Sequence, residues 1–243
     1  MQLLAATYGG GIFASDDLGA TWTRIDGLTS HFIKCISTSP FSSDILFAGV
    51  ECREDYIEIE NRSALIKSTD GGLTWFESSE GIQNSEWGRS IPFAVGASTT
   101  DPDIVYAGCI AFAAPVFYRS ADAGSTWTRA DTGMVPGYSY SIAVHPAGGD
   151  TLLSASDWRI FRSTDGAESW TYAAVPGGPF EALMFLPPDP TVAVAGGADG
   201  VHRSTDGGVT WSAVAVVGAP DSTVTCFEYE PFEGILYAGT EGD

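Results

Sequence analysis

Apolar and polar residues alternate in short runs along most of this chain, and turn residues break the runs every few positions. One stretch shows the pattern well: SIAVHP at 141–146, LLSAS at 152–156, IFRST at 160–164 and SWTYAAV at 169–175. Period-2 runs of this length, rich in β-branched and aromatic residues, predict strands, here named A to D in order. No stretch of ten or more residues has a convincing helical period.

The four-strand unit recurs. Strand A is seen again in KCISTSP at 34–40, FAVGAS at 93–98, ALMFLP at 182–187 and TCFEYEP at 225–231. Strand B recurs as LLAAT at 3–7, LFAGV at 46–50, VYAGC at 105–109, VAVAG at 192–196 and LYAGT at 236–240. Between C and D stands a box that aligns without gaps in five copies: SDDLGATW, STDGGLTW, SADAGSTW, STDGAESW and STDGGVTW, ending at Trp22, Trp75, Trp127, Trp170 and Trp211. The intervals between these tryptophans are 53, 52, 43 and 41 residues. Repeats of that length indicate stacked supersecondary units.

The box has a local physical reading as a C–D hairpin. Its Asp can accept hydrogen bonds from backbone N–H groups one or two residues on, and its Gly can take positive φ. Its Trp opens strand D, and a buried Trp removes about 150–250 Å² from water. At ~25 cal/mol/Å² that is worth roughly 4–6 kcal/mol as an upper bound. Asp17, Asp70, Asp122, Asp165 and Asp206 are therefore read, with the five tryptophans, as structural staples. One carboxylate per distant repeat makes no metal site, and no metal or other cofactor is expected.

The S-x-D-x-G-x-T-W boxes resemble the Asp-box, or bacterial neuraminidase repeat, of β-propellers such as sialidases, xyloglucanase-type glycoside hydrolases, sortilin and photosystem II assembly factors. The resemblance covers essentially the whole chain. It implies an all-β propeller of four-stranded antiparallel blades, with the box at the blade periphery and ligands on the opposite face. It says more about fold than about function.

A single propeller domain over 1–243 is expected, with blades near 1–25, 31–78, 87–130, 138–175 and 180–217 and extra strands over 223–240. The first blade lacks a strand A. Two arrangements are open: a five-bladed ring closed by the C-terminal strand A joining the first blade, or part of a longer array.

Composition narrows the partners. The 243 residues carry 11 Lys and Arg against 31 Asp and Glu, a net charge of −20. Such a surface repels nucleic-acid backbones and anionic lipid. No run approaches the length of a membrane-spanning helix, so no membrane insertion is expected. No signal peptide is visible at the start, and an extracellular or periplasmic setting stays open with the compartment. The oligomeric state is equally open. Cys35, Cys52, Cys109 and Cys226 lack metal-ligand spacing and are expected to be mostly small buried residues.

The B–C and D–A connections should share one face, where propellers usually bind ligands. Two of them, 49–64 and 78–90, are long, and added length on a rigid scaffold is where function concentrates. Candidate ligand-binding residues on this face are Arg53, Trp87, Arg89, Tyr138, Tyr140, Trp158 and Arg159. Asp157 and Glu181 are the candidate catalytic carboxylates. Aromatic platforms with carboxylates and arginines suit a glycan or a polar protein surface. The resemblance adds a sialidase-like variant: an arginine cluster from Arg53, Arg89 and Arg159, Tyr138 or Tyr140 beside Glu181, and Asp157 as acid. The function expected is a binding scaffold for a glycan or protein; the alternative is a glycoside hydrolase, sialidase-like or xyloglucanase-like, or part of one.

Overall fold

The computed structural model describes residues 2–28, 32–51, 64–82, 84–85, 88–111, 116–135, 137–173, 175–215 and 223–241. Every regular element among them is a strand. The first sheet holds β1 (Leu3–Thr7), β2 (Gly11–Ser15) and β3 (Thr23–Arg24). The second holds β4 (Ile33–Ser39), β5 (Ser42–Val50), β6 (Ala64–Ser68) and β7 (Phe76–Glu77). A two-stranded pair, β8 (Asn84–Ser85) and β9 (Gly88–Arg89), follows. The third sheet runs β10 (Ile91–Ala97), β11 (Val105–Ala111), β12 (Phe117–Ser120) and β13 (Thr128–Arg129), with β14 (Gly137–Tyr138) added alongside β11. The fourth is β15 (Ser141–Val144), β16 (Leu152–Ala155), β17 (Ile160–Ser163) and β18 (Thr171–Ala173). The fifth is β19 (Phe180–Phe185), β20 (Ala193–Gly197), β21 (Gly200–Ser204) and β22 (Ser212–Val214). The last sheet is the pair β23 (Thr223–Glu230) and β24 (Ile235–Glu241).

Pairing is antiparallel throughout, and strands follow chain order within each sheet. The A strands β4, β10, β15, β19 and β23 each lie beside the next, as inner strands do around a propeller axis. Thr223–Glu230 pairs with Ile235–Glu241, and the ladder partner of Leu3–Thr7 is Gly11–Ser15. The strand exchange considered for closing a five-bladed ring is not made among the described residues.

Among the described residues the core forms four clusters, each filling a gap between consecutive sheets. Ile12 and Ile25 meet Ile33 and Ile66 in the first gap, and Phe47 and Leu65 meet Tyr118 and Trp127 in the second. Phe117 meets Trp170 in the third, and Leu153 and Ile160 meet Phe185 and Trp211 in the fourth. A B strand is covered on both faces by its neighbours. This explains why β16 and β20 are buried at every position, and why LLSA and AVAGG are apolar or small throughout instead of alternating.

The boxes close the C–D hairpins, and the same set of hydrogen bonds among their Ser, Asp and Thr or Ser side chains recurs in all five copies. In the second, Ser68 Oγ donates to Asp70 Oδ1 at 2.8 Å and accepts from Gly72 N at 2.9 Å. Asp70 Oδ1 also accepts from Thr74 N at 2.8 Å, and Asp70 Oδ2 accepts from the Thr74 hydroxyl at 2.5 Å. The carboxylate therefore reaches four residues on rather than one or two, because the nearer N–H groups are already taken, Gly71 N by Asp44 O and Gly72 N by Ser68 Oγ. Ser169 replaces Thr in the fourth copy and makes the same two bonds to Asp165. With both oxygens used inside the hairpin, these carboxylates act as internal ties. The bonds to Thr21 and Ser15 hold Asp17 near pKa 2, and Asp122 and Asp206 are held there in the same way.

The box also locks neighbouring sheets together. A side chain on Gly208, at φ +88°, would stand 2.5 Å from Leu153 of the preceding sheet. The cation before a box reaches the next box: Lys67 Nζ donates to Ala123 O at 2.7 Å, and Arg162 Nε to Gly207 O at 2.8 Å. The tryptophans divide into two kinds. Trp127 and Trp170 are buried, and their indole N–H groups donate to Ser78 O and Ala130 O of the preceding sheet, both at 2.7 Å. Trp22, Trp75 and Trp211 bond Gly19, Gly72 and Gly208 of their own boxes. Trp22 is 43% exposed, so it is not the buried staple expected of it. Of the cysteines described, Cys109 is buried, Cys35 partly so and Cys226 exposed, all as free thiols; Cys52 lies outside the described residues.

Candidate functional site

Antiparallel order places the A–B and C–D turns at one end of every sheet and the B–C and D–A connections at the other. At that second end the inner strands share a local irregularity. The β4–β5 ladder pairs Ile33 with Val50 and Cys35 with Gly49, skipping Lys34. The β10–β11 ladder skips Phe93, the β19–β20 ladder skips Glu181, and the β23–β24 ladder skips Thr225. In the fourth sheet Tyr140 holds the same place: its N–H donates to Ala155 O, while the next residue, Ser141, is the ladder partner of Ala155. One bulged residue per inner strand is thus re-aimed at this end of the sheets, a common device beside binding sites. Glycines opposite two of the bulges, Gly49 and Gly196, leave room for the next inner strand. At Gly49 an added Cβ would lie 2.5 Å from Pro92 O and 2.8 Å from Cys35 Sγ.

Three of the re-aimed side chains, Lys34, Phe93 and Tyr140, touch in sequence. Lys34 Nζ lies 4.5 Å from the centre of the Phe93 ring and 4.1 Å from that of Tyr8. It pairs with Glu51 Oε2 at 2.9 Å, an oxygen that also accepts from the Tyr8 hydroxyl at 2.9 Å. Phe93 meets Tyr140 edge-on at 6.1 Å, and Tyr140 stacks on Tyr138 at 5.5 Å. Tyr138 belongs to the third sheet through β14 and Tyr140 leads into the fourth, so the stack bridges two sheets. The Tyr140 hydroxyl donates to Asp157 Oδ1 at 2.8 Å. Burial, this bond and the charge of Asp157 all raise its pKa, so the phenol stays protonated as a donor. Burial also raises the Glu181 pKa, and the nearby Glu241 carboxylate raises it further.

Beyond this ring, Trp158 is 65% exposed on the β16–β17 connection. The Gly178 backbone limits it from below: a side chain on Gly178 would meet the indole at 3.2 Å. Gly178 N is itself held by Asp199 Oδ2 at 2.9 Å. Arg159 turns outward, its guanidinium 5.7 Å from the centre of the Tyr172 ring.

The structure thus brings together Tyr138, Tyr140, Asp157 and Glu181, with Trp158 and Arg159 beside them. Tyr140 is bonded to Asp157 rather than to Glu181, and the Arg159 guanidinium lies over Tyr172. Arg53 and Trp87 lie outside the described residues, and Arg89 is described only as backbone in β9. Sequence reasoning missed Tyr8, Lys34, Phe93 and Tyr172. One signal was at hand for the second: Lys34 is one of only two lysines in the chain and opens a strand A. A cleft of ≈460 Å³ lies at the opposite end, between the first two boxes, lined by Asp16, Asp17, Arg24, Asp26 and Leu73. Its Asp17 is fully engaged within its own box.

Comparison with known proteins fits this architecture. Residues 202–213 match the BNR/Asp-box repeat. A xyloglucanase of Hypocrea jecorina (strain QM6a) is 32% identical over 114 residues, which are 43% of this chain and 13% of that protein. The crystal structure of an ancestral GH74 enzyme superposes with a TM-score of 0.68 at 16% identity, covering 88% of this chain and 29% of its own. YCF48 bound to a D1 peptide superposes at 0.53 with 17% identity, covering 93% of this chain and 82% of its own. The chain therefore spans a small part of the xyloglucanase and less than a third of the GH74 enzyme. The class these findings define is the β-propeller. The repeat matched as BNR/Asp-box, residues 202–213, contains the fifth of the five boxes, whose pattern the other four share.

Proposed function

We propose that the face bearing Tyr140 binds an uncharged, hydroxyl-rich glycan chain of the β-glucan class. The observation that carries this reading is the Tyr138–Tyr140 stack fixed to Asp157, with Glu181 and the exposed Trp158 adjoining. Aromatic faces accept the C–H faces of sugar rings, and flanking carboxylates accept sugar hydroxyls. The charge supports a neutral ligand. Lys34 is already neutralised by Glu51, while Asp157, Glu181 and Glu241 leave the rest of the ring acidic, which opposes a sialylated or otherwise anionic glycan. The similarity to a xyloglucanase points the same way.

A second reading, glycoside hydrolysis, is favoured by one observation: a half-buried carboxyl with a raised pKa, Glu181, is what a general acid needs, with Asp157 as its partner.

Native affinity electrophoresis tests both. Gels containing xyloglucan or mixed-linkage β-glucan should retard the protein, gels containing a sialylated glycan should not, and Tyr140→Ala should lose the effect. Reducing ends released from xyloglucan and lost in Glu181→Gln would establish the hydrolase. No retardation by any neutral glucan overturns the binding reading, and a basic peptide bound in its place would assign the face to a protein partner.

A further inference from the structure

We infer that the binding face continues outward over the fourth sheet, and that Tyr172 with Arg159 forms an outer subsite for a further sugar of the same chain; this rests on the glucan reading above. Two large aromatic side chains stand out there: Trp158 is 65% exposed and Tyr172 is 66% exposed. Both are fixed in position. Trp158 rests on the Gly178 backbone, which Asp199 holds. Tyr172 lies in β18, opposite the buried Phe161 of β17, and the Arg159 guanidinium covers part of one ring face.

Arg159 directly follows Trp158 in the chain, and its guanidinium reaches from the β16–β17 connection to Tyr172 of β18. Linked by the Tyr140–Asp157 bond, the chain itself and the Arg159–Tyr172 contact, the series runs Tyr140, Asp157, Trp158, Arg159, Tyr172, alternating flat apolar faces with polar groups that bond hydroxyls. A compact ligand held at Tyr140 would use only the inner part of this track. A polymer would use all of it. The arrangement therefore selects for chain length, a property a single central pocket would not have.

The test is binding of xyloglucan oligosaccharides of increasing backbone length, measured by calorimetry. Wild-type affinity should rise with length and then level off. Tyr172→Ala should leave the short oligosaccharides unchanged and weaken the long ones by about tenfold. Tyr172→Phe, which keeps the ring, should restore the long-chain affinity, and melting temperatures of the variants should match the wild type. Trp158→Ala should weaken both lengths. If Tyr172→Ala binds long and short oligosaccharides as the wild type does, the outer subsite is wrong while the inner site stands. If the wild type binds no oligosaccharide of any length, the glucan reading itself fails.

Discussion

Lys34 and Phe93 occupy equivalent bulges on neighbouring inner strands, and the ammonium of the first lies 4.5 Å from the ring of the second. With the Phe93–Tyr140 contact it shows how this face is assembled: the second, third and fourth sheets each deliver one residue, and the three are positioned by contact with one another. The same Lys34 neutralises Glu51, itself tied to Tyr8.

Lys34→Ala should therefore cost about 1–3 kcal/mol, because it leaves a partly buried carboxylate short of its partner. Lys34→Arg should recover much of this. Urea denaturation of the two variants checks it; equal stability of Lys34→Ala and wild type would mean the pair is solvated and structurally idle.

The tryptophans should differ by location. Trp127→Ala removes a buried side chain and an indole bond to the preceding sheet, and should cost about 3–5 kcal/mol. Trp22→Ala removes a half-exposed one bonded within its own box, and should cost under about 2 kcal/mol by the same scale. Denaturation midpoints that shift equally would contradict the inter-sheet role given to Trp127.

Gly208 and Gly27 separate backbone strain from crowding. Both have positive φ, but a Cβ at Gly27 meets nothing within 4 Å, whereas one at Gly208 meets Leu153 at 2.5 Å. Gly27→Ala should cost about 1 kcal/mol from the backbone alone. Gly208→Ala should cost a further 1–3 kcal/mol, roughly, from overpacking. Thermal melts of both variants decide it.

Acid should unfold the protein through the boxes. The carboxyls of Asp17, Asp122 and Asp206 sit near pKa 2 when folded and near ~3.9 when unfolded. Between those values the unfolded chain binds more protons, so stability is fully present above about pH 4 and falls as pH drops toward 2. Asp122→Asn should be less stable at pH 6 and lose less stability across that window. A wild-type unfolding free energy flat from pH 4 to pH 2 would show that the box bonds contribute nothing.

The boxes were legible in the sequence because each is self-contained: every bond Asp70 makes lies within four residues, so S-x-D-x-G-x-T-W specifies its own hairpin. The A–D strand order followed from the spacing between boxes. The bulges were not legible. Whether Lys34 or Phe93 is skipped depends on how two strands pair, and their register is set by packing between sheets. Nor could the motif say which carbonyl an indole N–H takes, since Trp127 and Trp75 have the same local sequence pattern and different partners. Asp157, Tyr140 and Glu181 were identifiable as belonging to one face from connection order alone. The exposed Tyr172 was hidden among strand D residues, because nothing in SWTYAAV marks which aromatic is left uncovered.

The most direct measurement is calorimetric titration of soluble xyloglucan into wild-type protein and into Trp158→Ala at neutral pH. Trp158 is the suitable probe because it is exposed, so its removal should leave the melting temperature unchanged. A saturable heat in the wild type, weakened about thirtyfold in the variant, is the expected result, corresponding to about 2 kcal/mol for one aromatic anchor. Equal affinity in the two proteins, or no binding by the wild type, would contradict the account.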